Sequence, residues 1–355
     1  MLDRNGVDPN HLNLTTTNST LIAMQRKYCK LGECPISWAT ISYLPNIGGN
    51  VVYLACFFVL LGIQMFFGIK HKTWTFLGSM IMGLLLEIIG YIGRIMLHNN
   101  PFIMNNFLVY LICLTIGPAF FSGCIYLCLG RIITVVGPEH SRLQPRTYAK
   151  IFIGCDLFAL VLQAVGGALA STAKDHAGSQ QGTNVMIAGL VSQVISMVLF
   201  MALWLDFTIR VRKAKAMGSL GRSQPALYNT LRNSAIFAGF QWSLIVATIL
   251  IFIRCIYRVA ELAGGFNSAI ANSQVSFMIF EGPMIITAVA LITWFHPGRV
   301  FRQLWVPAGK GDRLVTKGMK PMHSDNGSDV QLGSNIALSE GEQFRESWRA
   351  QHQRA

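Results

Sequence analysis

The sequence predicts an all-α polytopic membrane protein: a seven-transmembrane-helix bundle, N-terminus outside and C-terminus cytosolic. Three observations carry that expectation. Of 355 residues only 13% are charged and 52% are hydrophobic, against about 25% charged in an ordinary soluble domain. Seven apolar runs reach the ~20 residues that a bilayer crossing needs. Lysine and arginine crowd one set of loops. The low charge excludes a disordered chain or a nucleic-acid-binding domain and argues against a soluble α/β enzyme. The net charge of +13 reads as topogenic, because the basic residues flank apolar spans and form no patch for nucleic acid.

Residues 1–45 form a polar tail with no basic start, apolar core and cleavage site of a signal peptide. Its sequons Asn13-Leu14-Thr15 and Asn18-Ser19-Thr20 are glycosylation acceptors if the tail is lumenal or extracellular. Cys29 and Cys34 either pair locally there or stay free. The spans follow at 46–69, 74–97, 106–131, 149–172, 184–209, 236–258 and 274–296. Lys70 and Lys72, then Arg131, Arg142, Arg146 and Lys150, then Arg210 to Arg232 lie on one side; Lys174 and the N-terminal tail hold the few on the other. That asymmetry sets the orientation of the 46–298 domain. The basic loop 210–235 and the C-terminal tail are places for a cytosolic partner. Arg299–Pro307 puts Val300, Phe301, Leu304 and Trp305 on one face, which predicts a short interfacial amphipathic helix. The Gly-, Ser- and charge-rich residues 308–355 predict a disordered tail. Cys124 and Cys128 lie four apart with no further ligand beside them, so neither metal nor cofactor is expected.

Ionisable residues inside a bilayer cost about 2.5–3.5 kcal/mol each on insertion scales, and they persist only when paired or facing water. Glu87, Gly90, Tyr91 and Arg94 make one stripe on span two. Glu87 is about 20 Å along from Thr73, past the midplane. Arg94, near the outer surface, is expected to snorkel. Pro118 in span three frees a backbone carbonyl and favours a kink. Asp156 and Gln163 share a face of span four, ahead of Gly166 and Gly167, which permit close helix contact. Arg254, Arg258 and Glu261 share the outer end of span six, and Glu281 precedes Pro283 in span seven. Glu87, Arg94, Arg254, Arg258, Glu261 and Glu281 therefore project to the outer half of the bundle. They form either structural salt bridges or a polar track for an amphiphile's head group. A carboxylate suits a cationic amine and an arginine suits phosphate or carboxylate.

These residues carry a resemblance. Glu87-x-x-Gly90-Tyr91-x-x-Arg94 resembles the second-helix signature of the fungal lipid-translocating exporters, a seven-span family whose members export sphingoid long-chain bases or confer aminocholesterol resistance. Leu114 to Pro118 with Tyr126 and Arg131, Asp156 with Gln163 to Gly167, Gly189 with Gln193, Arg254 with Tyr257-Arg258 and Glu261, and Glu281-x-Pro283 with Phe295 to Gly298 agree in order, over about residues 46–305. Ile116-Gly117 departs from the more frequent alanine before the proline. The resemblance implies export or flipping of lipid amphiphiles at the plasma membrane, with drug or sphingoid-base resistance. An endosomal or vacuolar membrane fits the residues equally.

Two other classes compete. A seven-span sensor of membrane lipid asymmetry, acting through other transporters, shares the topology. However, Gly130-Arg131-Ile132 stands where receptors carry Asp-Arg-Tyr, and span seven lacks both Asn-Pro-x-x-Tyr and a lysine. An intramembrane enzyme is disfavoured: there is no H-E-x-x-H, no G-x-S-x-G and no P-loop, and His296 is isolated.

Overall fold

A computed structural model of the chain describes residues 43–301 except 174–175, 218–225 and 265–272, together with Trp305 and isolated positions ahead of residue 43. Asn18, Leu304 and the 308–355 tail lie outside the described residues, as does part of the 210–235 loop. The described chain is helical, with α1 Ile47–Lys70, α2 Trp74–Asn99, α3 Met104–Val136, α4 Pro145–Thr172 and α5 His176–Ala216. The short α6 Ala226–Arg232 precedes α7 Ala235–Ala263, and α8 Gln274–Phe280, α9 Gly282–Trp294 and α10 Pro297–Phe301 complete the set.

Among the described residues, seven helical stretches are long and apolar enough to cross a membrane: α1 to α5, α7, and α8 with α9 and α10 together. The chain is an integral membrane protein. Helix boundaries agree with the apolar runs to within a few residues, except in α5. That helix covers His176–Ala216 where the apolar run is 184–209. At 1.5 Å per residue its 41 residues reach about 60 Å, twice the ~30 Å hydrocarbon core. Backbone bonding continues past the point where the side chains turn polar.

Local signals start and stop these elements. Asn46 caps α1 by accepting from the Gly49 N–H at 3.3 Å, and the Ser273 hydroxyl does the same for α8 through Ser276. Pro145 opens α4 and Pro283 opens α9, where a missing N–H costs nothing. Gly137 ends α3 at φ +149°, a backbone conformation that a side chain would strain.

Helix neighbours run in the order α1, α2, α3, α4, α5, α7, α9 and back to α1, and α3 also reaches α7. Phe121, Cys124, Ile125, Tyr126, Cys128 and Leu129 on α3 are all buried, so α3 is the innermost element. The outward faces are apolar: Val59 and Phe66 on α1 are each 61% exposed, and Leu157 and Phe158 on α4 each 60%. Apolar surface of this extent suits lipid rather than water.

Gly166 lets α4 and α5 touch, as expected. A Cβ there would meet the Met186 backbone nitrogen and stand 2.9 Å from its Cα. Gly166→Val is expected to cost about 1–3 kcal/mol, read as a lower melting temperature in detergent. Gly154→Val, where a Cβ meets nothing within 4 Å, is the silent control.

The N-terminal tail agrees with the expectation where it is described, and the segment after the last span differs from it. Cys29 and Cys34 are disulfide-bonded and pack on Phe102. Asn13 is exposed and accepts from the Thr15 hydroxyl at 2.9 Å. A helix does begin at Pro297, but Val300, Phe301 and Trp305 are buried. Phe237 and Phe240 pack edge-on to Phe301, and Phe76 to Trp305, while the Arg131 guanidinium lies 3.4 Å over the Trp305 ring. The apolar face is thus turned into the bundle instead of onto a leaflet, because aromatic partners are available there.

Candidate functional site: a buried charge cluster with unpaired members

The start of α1 and the ends of α2, α4 and α7 lie at one end of the bundle, here called the tail end. In that half, α2, α7 and the junction of α8 with α9 bring the six predicted ionisable residues together. All are buried: none of Glu87, Arg94, Arg254, Arg258, Glu261 and Glu281 is more than 6% exposed.

Glu281 is the hub. It ends α8, with Gly282 and Pro283 opening α9. Its Oε1 accepts from Arg258 Nε at 3.1 Å and Nη2 at 2.7 Å, and from Arg254 Nη2. Arg258 Nη1 donates to Glu261 Oε2 at 2.8 Å. Arg254 Nη2 also donates to the Leu114 carbonyl of α3. That carbonyl lies four residues before Pro118, whose nitrogen carries no hydrogen, so the helix leaves it an open acceptor. The expected freed carbonyl is thus occupied by an arginine, and α3 continues through Pro118 without a break.

Glu87 stands at the edge of this network. Its Oε1 is 4.0 Å from Arg254 Nη2 and makes no hydrogen bond. Gly117 on α3 gives it room, since a Cβ there would lie 2.9 Å from the same oxygen. One turn on, Tyr91 is held between Phe57, stacked at 5.5 Å, and Tyr53, edge-on at 5.7 Å. Its buried hydroxyl has no partner. Tyr53 instead donates to the Met278 carbonyl at 2.8 Å, beside the helix break.

Arg94 does not snorkel. It is enclosed, with its guanidinium 3.4 Å over the Phe277 ring and 5.2 Å from Tyr110. Nη2 donates to the Tyr43 hydroxyl at 2.9 Å, while Nε and Nη1 are unpartnered. Tyr43, Tyr110 and Phe277 enclose the group and remove the water that snorkelling requires. Sequence reasoning misses Tyr43, Tyr110 and Phe277. Of the three, Phe277 carries a signal, because it sits one turn before Glu281.

Asp156 and Gln163 form a separate patch on α4. Gln163 donates to Gln193 of α5 at 3.2 Å, the helix clamp that the shared face suggests. Asp156 is buried near Tyr126 and Ser196, yet neither carboxylate oxygen completes a hydrogen bond. No ion pair joins it to the Glu281 network among the described residues. His296 sits at the opposite end of the bundle, where its Nδ1 accepts from the Gly298 N–H at 3.0 Å. That is a helix-start role.

The fold and cluster define a seven-helix integral membrane protein with a charged core at one end. The chain belongs to the RTA1-like family: the family described as RTA1 like protein matches residues 80–304. It is 34% identical over 282 residues to the sphingoid long-chain base transporter RSB1 of Saccharomyces cerevisiae, covering 73% of each chain. It is also 28% identical to protoporphyrin uptake protein 1 of the same species, over 62% of this chain and 68% of that one. Protein RTM1 of Saccharomyces cerevisiae is 26% identical over 233 residues. No solved structure matches the chain. The resemblance stated from the motifs is borne out.

Proposed function

We propose that this protein translocates single-chain lipid amphiphiles between leaflets, exporting sphingoid long-chain bases and similar toxic amphiphiles. The observation that carries this reading is Glu87, a carboxylate in the bundle core whose Oε1 no donor satisfies. Glu281 differs in that its Oε1 serves three donors from two arginines, although its Oε2 is likewise without a partner. A free carboxylate is suited to an ammonium that arrives with a substrate. The hydrocarbon chain stays in lipid against the apolar outer faces. The cluster is shut off from solvent, so loading requires α2 to part from α8 and α9, exposing Glu87 and Tyr91.

The names of the curated relatives support transport of amphiphiles rather than an enzymatic role. The lysine and arginine asymmetry supports an outside tail end, and the Cys29–Cys34 disulfide suits an oxidising compartment. Plasma-membrane residence, glycosylation at Asn13 and a cytosolic partner at loop 210–235 belong to the same reading.

Cells making the protein are expected to release preloaded, labelled long-chain base faster than cells without it, and to survive higher doses. Equal release, with the protein present at the cell surface, would overturn the proposal. Gly117→Ala is expected to slow release without lowering protein level, because its Cβ displaces the Glu87 carboxylate. Unchanged release in that variant would mean that the position of Glu87 is immaterial.

A further inference from the structure

Asp156 is a second buried carboxylate without a donor, and its surroundings differ from those of Glu87. It stands about 16 Å along α4 from Pro145, close to the middle of a ~30 Å hydrocarbon core. It is 4% exposed, and neither oxygen has a hydrogen-bond partner. No salt bridge reaches it among the described residues.

Close contacts fix the register of α4 against α5. A Cβ on Gly189 would stand 2.8 Å from Gln163 Cγ, one on Gly166 would meet the Met186 nitrogen, and one on Gly182 the Ala170 nitrogen. Each step back along α4 is a step forward along α5, which sets Ser196 opposite Asp156. The Ser196 hydroxyl is buried and without a partner as well. From α3 the Tyr126 hydroxyl faces the same carboxyl, and from α7 Cys255 lies within electrostatic range. On α5 the nearest ionisable group is Asp206, about 15 Å past Ser196. On α4, beyond the exposed Cys155 thiol, it is the exposed Lys150, about 9 Å away.

The charge of a buried carboxylate is cancelled by a cation or by a proton. No cation stands here, and the seam is too tight to admit a lipid head group. A Cβ on Gly189 would also stand 2.8 Å from the carbonyl of Ala159, which is 0% exposed and one turn from Asp156. A proton needs no such room. A protonated carboxyl gives one O–H and accepts at its other oxygen, which the Ser196 and Tyr126 hydroxyls can complete.

We infer that Asp156 is a proton-binding site and that export exchanges one proton for one long-chain base. The proton enters from the outer side, binds a carboxylate oxygen of Asp156 and passes to water on the cytosolic side, while the ammonium crosses the other way. One positive charge moves in each direction, so the membrane potential does no net work on the exchange. The innermost helix α3 touches both acids. Gly117 abuts the Glu87 carboxylate, Tyr126 faces Asp156, and between them the Ser122 hydroxyl donates to the Pro118 carbonyl at 3.1 Å. A shift of α3 on loading Glu87 is therefore felt at Asp156. This inference rests on the proposed export of a cationic amphiphile and adds its energy source.

The test uses liposomes holding the purified full chain and a fluorescent N-trimethylated long-chain base, whose fixed charge carries no proton of its own. With a gradient of one pH unit, the base is expected to collect in the leaflet facing the acidic side. One-for-one exchange shifts its ratio between leaflets roughly tenfold. Asp156→Asn replaces a neutral acid by a neutral amide, so it is expected to melt like the parent and still to move the base. Its ratio is expected to ignore the gradient. A parent ratio that ignores the gradient would sink this inference and leave the proposed function standing. A ratio that still follows the gradient in Asp156→Asn would place the proton elsewhere and overturn it. An Asp156→Asn protein that does not fold would overturn it too, since the charged form would then be structural. If the protein moves only the ordinary base, parent and variant are compared with that probe. No movement of either base by the folded parent would sink both readings.

Discussion

Glu281→Ala is expected to lower stability by about 3–5 kcal/mol, the cost of stripping a partner from a buried ion pair. One carboxylate oxygen serves two guanidiniums, accepting from Arg258 twice and from Arg254 once. Without it, Arg258 keeps Glu261 at 2.8 Å, but Arg254 keeps only the Leu114 carbonyl and the distant Glu87. Both arginines are at most 2% exposed, so water cannot replace what is lost. The junction of α8 with α9 is also released from α7. The measurement is a thermal melt in detergent, where the variant should unfold well below the parent or fail to accumulate. A melt matching the parent's would mean that Glu281 is not the brace of the bundle.

Glu87→Gln is expected to do the reverse: little to stability and much to transport. The side chain keeps its shape, and Oε1 makes no hydrogen bond in the folded protein. A stability change below about 1 kcal/mol is therefore expected, under the worth of one ordinary hydrogen bond. Movement of a long-chain base should fall at least tenfold, because a carboxylate–ammonium contact is worth about 1.5–3 kcal/mol. The two glutamates look alike in sequence, each an acid in an apolar span. The structure separates them by how many donors each already serves.

Much of the fold was legible because a bilayer demands long apolar runs and tolerates few charges. The break in the last span was legible from Glu281-Gly282-Pro283, and the close contact of α4 with α5 from Gly166. The six ionisable residues were legible as a group because each stands out against its span. Their pairing was not. Which arginine Glu281 binds depends on how α7, α8 and α9 pack, and no spacing within one helix contains that. The enclosure of Arg94 was illegible for the same reason: Tyr43, Tyr110 and Phe277 come from three separate elements and meet only on folding. Tyr43 lies in a stretch too short to span, which gives no reason to place it over a charge. The Arg131 contact that draws Trp305 inward likewise joins residues 174 apart.

The proposed function assigns Glu87 to the substrate and Glu281 to holding the bundle together. That division of roles is tested by transbilayer movement of a fluorescent sphingoid base in liposomes containing only the purified protein, with Glu87→Gln beside it. Movement above empty liposomes is expected for the parent, and loss of that movement in a Glu87→Gln protein that melts like the parent. Equal movement in both would remove Glu87 from the path. No movement by the folded parent would contradict the translocator itself and favour a sensor that acts through other transporters.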